Sequence, residues 1–283
     1  MRLGGHVLES FDGPEGWVAA LKRLNFSAAY CPIDEKQSSD VIHAYEKAAR
    51  EADVMIAEVG AWSNPLSPDE TNRRKAVAYC QARLALADAI GARCCVNIAG
   101  SRGEENGRRA PHPDSLTQTH FDLIVESVRT IIDAVKPTRT FYVLEMMPWL
   151  YPDTADNYVR LLRAIDRKAF AVHIDPVNII TSPQRYYNNA EVIRDAFTKL
   201  GPWVKSCHAK DIILRNALTI HMDEAHPGQG ALDYRVFLQE IEKLGPDTPL
   251  MIEHLKTTEE YAQAADYIRS VARQVGITVK SVT

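Results

Sequence analysis

The chain has 283 residues, of which 46% are hydrophobic and 25% charged, and its formal net charge is −4. This composition excludes a low-complexity disordered chain, and the acidic balance argues against a protein that grips a nucleic-acid backbone, which needs an excess of Lys and Arg. No stretch reaches the roughly 20 uninterrupted apolar residues of a membrane helix, and the five cysteines form no CxxC pair, which predicts reduced thiols in a cytoplasmic protein.

Short β-rich runs alternate with longer amphipathic segments along the chain. The eight candidate strands are 2–8, 27–32, 53–60, 93–99, 140–145, 169–175, 203–209 and 249–255. A helical pattern follows each strand, for example over 69–90 and 231–244. Eight such units predict a single α/β domain over 1–283, folded as a (β/α)8 TIM barrel. An open doubly wound sheet is the alternative, but no GxGxxG follows the first strand.

The longest irregular stretch, about 100–115, follows the fourth strand and is rich in charge and glycine. In a barrel it lies on the face that carries active sites, so we expect a mobile lid there.

Polar side chains end the last four predicted strands. Glu145 ends the fifth, Asp175 the sixth, His208 the seventh and Glu253 the eighth. Because these strands are neighbours in a barrel, the four side chains should meet at similar height, and three carboxylates that meet there require protons or a cation. Oxygen ligands with one nitrogen suit one divalent ion, Mn²⁺ or Mg²⁺, with Zn²⁺ or Co²⁺ as replacements. The alternative is that a lysine, an arginine or a backbone amide satisfies each group separately.

Residues near these strand ends are candidates for substrate contacts. Lys210 shares strand parity with His208 and lies just above it, although an ion pair with Asp211 or another acid is an equally good interpretation. Structural or surface roles also stay open for the other candidates, which are Glu58, Trp62, His6 and His226.

Two further histidines are predicted to have structural roles. His173 shares parity with Asp175 one layer lower in the barrel, so we expect it in the core or behind a ligand. His254 follows Glu253, so strand alternation predicts that it faces the helices.

The runs FYVLEM, AVHIDPVN, SCHAKDI, HPGQGALDY and LMIEHL resemble the xylose isomerase-like TIM barrel superfamily, which includes sugar isomerases, epimerases and the AP endonuclease family 2. The resemblance spans the whole chain and is strongest over 140–255. It implies that Glu145, Asp175, His208 and Glu253 are metal ligands. It also implies that Glu145 and Glu253 act as acid and base on opposite faces of the substrate.

The resemblance implies a divalent-metal-dependent sugar isomerase or epimerase that works through a metal-bound cis-enediolate of a keto-sugar or related polyol. An inosose-type dehydratase with the same metal site is the alternative, and an endonuclease IV-like nuclease or an inactive binding module is less favoured. The expected partner is a small sugar or polyol, without nucleic acid or membrane, and a homo-oligomer is left open.

One position departs from the pattern of the superfamily. Related epimerases and endonuclease IV place a histidine three residues after the aspartate of the sixth strand, and this chain has Asn178 there. An asparagine can hydrogen-bond a sugar hydroxyl but is a poor metal ligand. The difference weakens the nuclease interpretation.

Overall fold

The computed structural model describes residues 1–103 and 109–282, in which eight parallel strands close into a barrel. The barrel strands are β1 Arg2–Gly5, β2 Ala28–Tyr30, β3 Met55–Gly60, β4 Cys94–Asn97, β5 Tyr142–Leu144, β6 Phe170–Ile174, β7 Val204–Ala209 and β10 Pro249–Ile252. Each lies within its predicted run, and β1 pairs in parallel with both β2 and β10, which closes the barrel. The predicted TIM barrel is confirmed, and the open-sheet alternative is wrong.

Helices surround the barrel. They are α1 Gly13–Leu24, α2 Ser39–Glu51, α3 Glu70–Ile90, α4 Gln118–Val135, α5 Ala155–Ile165, α6 Pro176–Ile179, α7 Pro183–Tyr187, α8 Asn189–Leu200, α9 Tyr234–Glu242 and α10 Thr258–Gln274. Local signals set their ends: Gly91 ends α3 in the left-handed conformation, and Thr257 with Glu260 forms a capping box at the start of α10. None of the helices described is long and apolar enough to cross a membrane.

The inside of the barrel changes from apolar to polar along the strands. Cys94, Val96, Val143 and Ala171 form a cluster separate from the large core under the helices. Val143 shares strand parity with Glu145, so this cluster lies inside the barrel below the carboxylate. The polar groups at the carboxyl ends of the strands therefore rest on a packed apolar floor.

A two-stranded hairpin follows β7 and stands outside the barrel. Its antiparallel strands are β8 Asp211–Arg215 and β9 His221–Ala225. None of the eight predicted strands falls in this segment. An isolated hairpin is marginally stable, so its stability comes from contacts that the local pattern does not reveal.

The carboxylate of Asp211 fixes the base of this hairpin. Asp211 Oδ1 accepts hydrogen bonds from the amides of Ile212 and Leu232, both at 2.9 Å. Asp211 Oδ2 accepts from the amides of Gly228 at 2.9 Å and Gly230 at 3.0 Å. Asp211 thus joins the start of β8 to the loop before α9 and is not the ion-pair partner of Lys210.

We expect Asp211→Ala to lower the free energy of unfolding by about 3 kcal/mol, because buried amides left without an acceptor each cost about 1–3 kcal/mol. Urea unfolding measures this. The control is Asp223→Ala, which removes the partner of Arg215 in an exposed ion pair and should change stability by less than about 1 kcal/mol. Equal midpoints for the two variants would contradict the role of Asp211.

The predicted lid, about 100–115, lies partly outside the described residues, because 104–108 are not among them. Before that gap, Ser101 is buried and its amide donates to Asn64 Oδ1. After it, Pro113–Leu116 forms a short 3-10 turn. The lid stays a prediction.

Candidate functional site

Four strand ends bring together the polar side chains expected there. Glu145 follows β5, Asp175 follows β6 and begins α6 as its N-cap, His208 belongs to β7, and Glu253 follows β10. One ligand atom from each lies within 4.8 Å of all the others, and all four residues are buried. We refer to these four residues as the ligand cluster.

Two oxygen atoms of the ligand cluster lack a hydrogen-bond donor among the residues that the structure describes. They are Asp175 Oδ2 and Glu253 Oε1, and both are buried. Lys210 Nζ lies 2.8 Å from the first and 2.6 Å from the second and forms an ion pair with each. Buried carboxylate oxygens without donors, beside an imidazole nitrogen, are the ligands that a divalent cation prefers. The residues present fit such an ion.

In the ligand cluster, burial and the neighbouring charges shift the pKa values of the carboxylates in opposite directions. Burial raises the pKa of Asp175 to about 6, although Lys210 acts in the opposite direction. Burial would also raise the pKa of Glu253, but the charges of His208 and Lys210 outweigh it and hold this pKa well below its usual range. For Glu145, burial and the charge of Glu253 are likewise outweighed, by His208 and Lys210, so its pKa is lowered.

The imidazole of His208 connects the ligand cluster to the barrel interior. Its Nδ1 atom lies 2.9 Å from Glu253 Oε1 and 3.3 Å from Glu145 Oε1. Its Nε2 atom lies 3.1 Å from Glu58 Oε2 on the opposite side of the ring. Burial lowers the pKa of His208, but the carboxylates of Glu253 and Glu58 outweigh it and raise this pKa well above its usual value.

The ammonium group of Lys210 is buried among carboxylates. Besides its contacts with Asp175 and Glu253, Nζ lies 3.5 Å from Glu224 Oε2 on the hairpin and 3.8 Å from Glu145 Oε1. Burial would lower the pKa of Lys210, but these carboxylates raise it well above its usual value. Lys210 is therefore a fixed positive charge at the edge of the ligand cluster.

We expect Lys210→Met to tighten Mn²⁺ binding at least about tenfold, because a unit charge about 4 Å away opposes a cation by several kcal/mol even at an effective dielectric constant of about 20. Calorimetric titration measures the affinity. The control is Lys205→Met, a substitution on the same strand at a side chain that packs over the ring of Phe141. Weaker Mn²⁺ binding by the Lys210 variant would contradict this assignment.

A cavity of about 570 Å³ opens above the ligand cluster. Glu145, Asn178 and Lys210 contribute to its polar side, and Arg109 lies on its wall. The apolar side chains on its wall include Met147, Trp149, Ile180, Ile212, Ile220 and Met222. This volume is within the range of small-molecule sites, so the cavity can bring a small molecule into contact with the carboxylate of Glu145.

Among the predicted substrate contacts, Lys210 and Asn178 line this cavity. Asn178 Nδ2 donates to Glu145 Oε1 at 3.1 Å and to the Met146 carbonyl at 3.0 Å, so the amide holds the carboxylate in place. The asparagine thus contacts a member of the ligand cluster.

The other four predicted contacts lie outside the described wall of the cavity. Glu58 is 1% exposed and lies under His208. Trp62 is half-buried beside Gly60. His6 is exposed and stacks on Tyr30, with 4.0 Å between ring centroids. His226 lies 3.9 Å from the carboxylate of Glu260.

The cavity residues that were missed by sequence reasoning include His254 and Glu224. His254 lines the cavity instead of facing the helices, and its Nδ1 lies 2.9 Å from Glu224 Oε1. The prediction was wrong because β10 ends at Ile252 and His254 adopts a positive φ of 60°, so strand alternation no longer applies. Glu224 was missed with the hairpin that carries it.

Comparison with known proteins identifies one family. The sequence profile described as xylose isomerase-like TIM barrel matches residues 18–271. No curated protein matches the chain. Similar solved structures include epimerases, a dehydratase and an endonuclease IV, all at low identity.

Three similar solved structures illustrate the range. A xylose isomerase-like TIM barrel protein from Mycobacterium smegmatis, in complex with magnesium, is 17% identical, with 97% of each chain covered and a TM-score of 0.67. D-psicose 3-epimerase from Clostridium cellulolyticum, with D-tagatose, is 14% identical, with 98% of this chain and 100% of that chain covered and a TM-score of 0.69. Endonuclease IV from Thermus thermophilus is 16% identical, with 97% of this chain and 100% of that chain covered and a TM-score of 0.73. Such identities establish the fold alone.

Proposed function

Because the chain belongs to the xylose isomerase-like TIM barrel family, we propose that it is a divalent-metal-dependent isomerase or epimerase of a keto-sugar or related polyol. The observation that carries the proposal is the convergence of two buried glutamates, Glu145 and Glu253, with Asp175 and His208 beside a cavity of small-molecule size. The four residues would hold one ion, Mn²⁺ or Mg²⁺, with Zn²⁺ or Co²⁺ as replacements.

The reaction class follows from what these side chains can do. A divalent cation supplies Lewis acidity, which polarises a carbonyl and acidifies the neighbouring C–H bond. The lowered pKa values of Glu145 and Glu253 keep both carboxylates ionised at neutral pH, so either can accept that proton. Return of the proton by the same carboxylate to the adjacent carbon, with transfer of the hydroxyl proton to the former carbonyl oxygen, gives isomerisation. Delivery of a proton to the opposite face by the other carboxylate, after that carboxylate has taken up a proton from solvent, gives epimerisation.

The two carboxylates have different surroundings, which suits different roles. Glu253 lies beside three nitrogen atoms, from His208, Lys210 and His254. Glu145 lies beside the neutral amide of Asn178, and its distance to Lys210 is 3.8 Å. Because the fixed charges are closer to Glu253, Glu145 is the stronger base of the pair. We therefore assign the first proton abstraction to Glu145 and the second transfer to Glu253.

Lys210 and Asn178 are the proposed substrate contacts on the polar side of the cavity. The ammonium of Lys210 can donate to an oxygen on which negative charge develops as the enediolate forms. Asn178 holds Glu145 in place and lines the cavity, where a sugar hydroxyl can approach it. Both contacts are directional, so they would orient the substrate against the two carboxylates.

Deuterium exchange tests the proposed function. The protein, loaded with Mn²⁺ or Mg²⁺, is incubated in D₂O with a panel of keto-sugars and cyclitol ketones, and deuterium at carbon is measured by mass spectrometry. We expect incorporation into at least one compound, and loss of incorporation when EDTA removes the metal. Absence of exchange across the panel, together with cleavage of abasic DNA, would replace the proposal with a nuclease.

A dehydratase is the second candidate, because an acid lies beside a base in this site. Lys210 Nζ is 2.6 Å from Glu253 Oε1, so one residue could protonate a departing β-hydroxyl after the other takes the proton. Loss of water gives an enone with new ultraviolet absorbance, whereas isomerisation and epimerisation conserve the formula. Mass and absorbance of the product therefore separate the two candidates.

A further inference from the structure

A second group of polar side chains lies directly under the ligand cluster, inside the barrel. Glu58 comes from β3, His173 from β6 and Ser206 from β7, and each is at most 1% exposed. None of them reaches the cavity, and the proposed proton transfers use none of them. Buried polar groups are costly unless they are paired, so this group needs an explanation.

The carboxylate of Glu58 is held on both oxygens. Its Oε1 accepts a short hydrogen bond from the Ser206 hydroxyl and lies 3.4 Å from His173 Nε2. Its Oε2 lies 3.1 Å from His208 Nε2. These contacts join β3, β6 and β7 across the interior, so the carboxylate has one orientation relative to the imidazole of His208.

This orientation keeps hydrogen on one particular nitrogen of His208. An ionised carboxylate only accepts hydrogen bonds, so the nitrogen that faces Glu58 must be a donor, Nε2–H. Without an ion, Nδ1 faces the carboxylates of Glu253 and Glu145 and carries hydrogen as well. A cation bound in the ligand cluster would displace that second hydrogen, so that the neutral imidazole keeps Nε2–H and offers the lone pair of Nδ1. That atom lies 2.9 Å from Glu253 Oε1 and 3.3 Å from Glu145 Oε1, inside the ligand cluster.

We propose that Glu58 is a positioning residue for the metal centre: it fixes the Nε2–H tautomer and the ring orientation of His208, and so presents Nδ1 to a divalent cation. The inference rests on the metal site of the proposed function but not on the substrate or the reaction. Carboxylates that hold metal-binding histidines in this way typically change metal affinity 10- to 100-fold when they are removed.

A competing interpretation makes Glu58 itself a metal ligand. Glu58, His173 and His208 also have ligand atoms within 4.8 Å of one another, so they could hold a second ion with His208 as a bridge. The two interpretations differ in stoichiometry, one ion against two. They also differ at Nε2 of His208, which carries hydrogen only if Glu58 is a positioning residue.

The test combines a measurement of metal affinity with detection of the hydrogen on Nε2 of His208. In Zn²⁺-loaded protein with ¹⁵N-labelled histidine, we expect one ion per chain and an Nε2–H signal for His208, assigned by its loss in His208→Ala. We expect Glu58→Leu to weaken Mn²⁺ binding 10- to 100-fold in calorimetry. Glu58→Gln keeps an acceptor oxygen and should recover most of that loss. Ser206→Ala removes a contact of Glu58 but none of His208, so it should change affinity less than about threefold.

Several results would overturn the inference. Two ions per chain, or an Nε2 without hydrogen, would make Glu58 a ligand instead. Unchanged Mn²⁺ affinity in Glu58→Leu would show that His208 needs no positioning. Circular dichroism and the unfolding midpoint identify a variant that has not folded, and Glu58→Gln then carries the test. Failure of the proposed reaction with intact metal binding leaves the inference standing, whereas absence of metal binding in the natural chain contradicts both.

Discussion

Substituting Glu253 by Gln is expected to lower the formation of deuterium-labelled product from an active substrate by about 10²–10⁴-fold, the usual contribution of a positioned acid–base group. The amide keeps the size of the side chain and an oxygen that can contact the cation, but it cannot carry a proton to the substrate. Mn²⁺ affinity should therefore fall much less than product formation, by about tenfold. Mass spectrometry of the product and calorimetry of the metal separate the two effects.

The control for this variant is Glu259→Gln, which changes an exposed glutamate in the first turn of α10. It should leave both product formation and Mn²⁺ affinity unchanged. Near-normal turnover by the Glu253 variant would remove that residue from the proton transfers and leave Glu145 as the only carboxylate assigned to them.

His208→Ala has the second large expected effect, because it removes a proposed metal ligand and also the partner of a buried carboxylate. We expect Mn²⁺ affinity to fall at least about tenfold and the free energy of unfolding to fall by about 3 kcal/mol, since Glu58 is left buried beside an empty space. Calorimetry and urea unfolding measure the two losses. His43→Ala, at an exposed position on α2, is the control.

A double variant separates the two losses. Adding Glu58→Leu to His208→Ala removes the stranded carboxylate, so we expect part of the stability to return while metal affinity stays low. If stability does not return, the cost of His208→Ala comes from the cavity alone, and the contact with Glu58 contributes little to folding.

The barrel and its ligand cluster could be predicted from the sequence because both depend on short-range patterns. Apolar runs of strand length mark the barrel strands, and parallel strands place their last residues at one edge whatever the helices between them do. Glu145, Asp175, His208 and Glu253 could therefore be grouped from the sequence alone, and the structure places them together. Their role as metal ligands stays a proposal.

Contacts between side chains of different strands inside the barrel could not be predicted in this way. Strand parity directs Glu58 inward, but its contact with His208 depends on the register between β3 and β7, which are not neighbours in the sheet. The orientation of His254 was predicted wrongly for another reason, because strand alternation was extended past the end of β10. The hairpin was not predicted because its base is held by hydrogen bonds from backbone amides to the carboxylate of Asp211. Such bonds produce no periodic pattern in the sequence.

That hairpin adds to the cavity a wall that is separate from the barrel. Strand β7 carries His208 and ends just before Lys210, and the chain leaves the barrel at Asp211. Beyond that point, Ile220 and Met222 form cavity wall, while the tip residue Leu218 is fully exposed. The anchor uses main-chain amides, so it tolerates changes of side chain between its ends. Residues 213–223 could therefore be exchanged for another loop to change which molecules enter the cavity, while Glu224 keeps its contacts with Lys210 and His254 and the ligand cluster stays where the barrel places it.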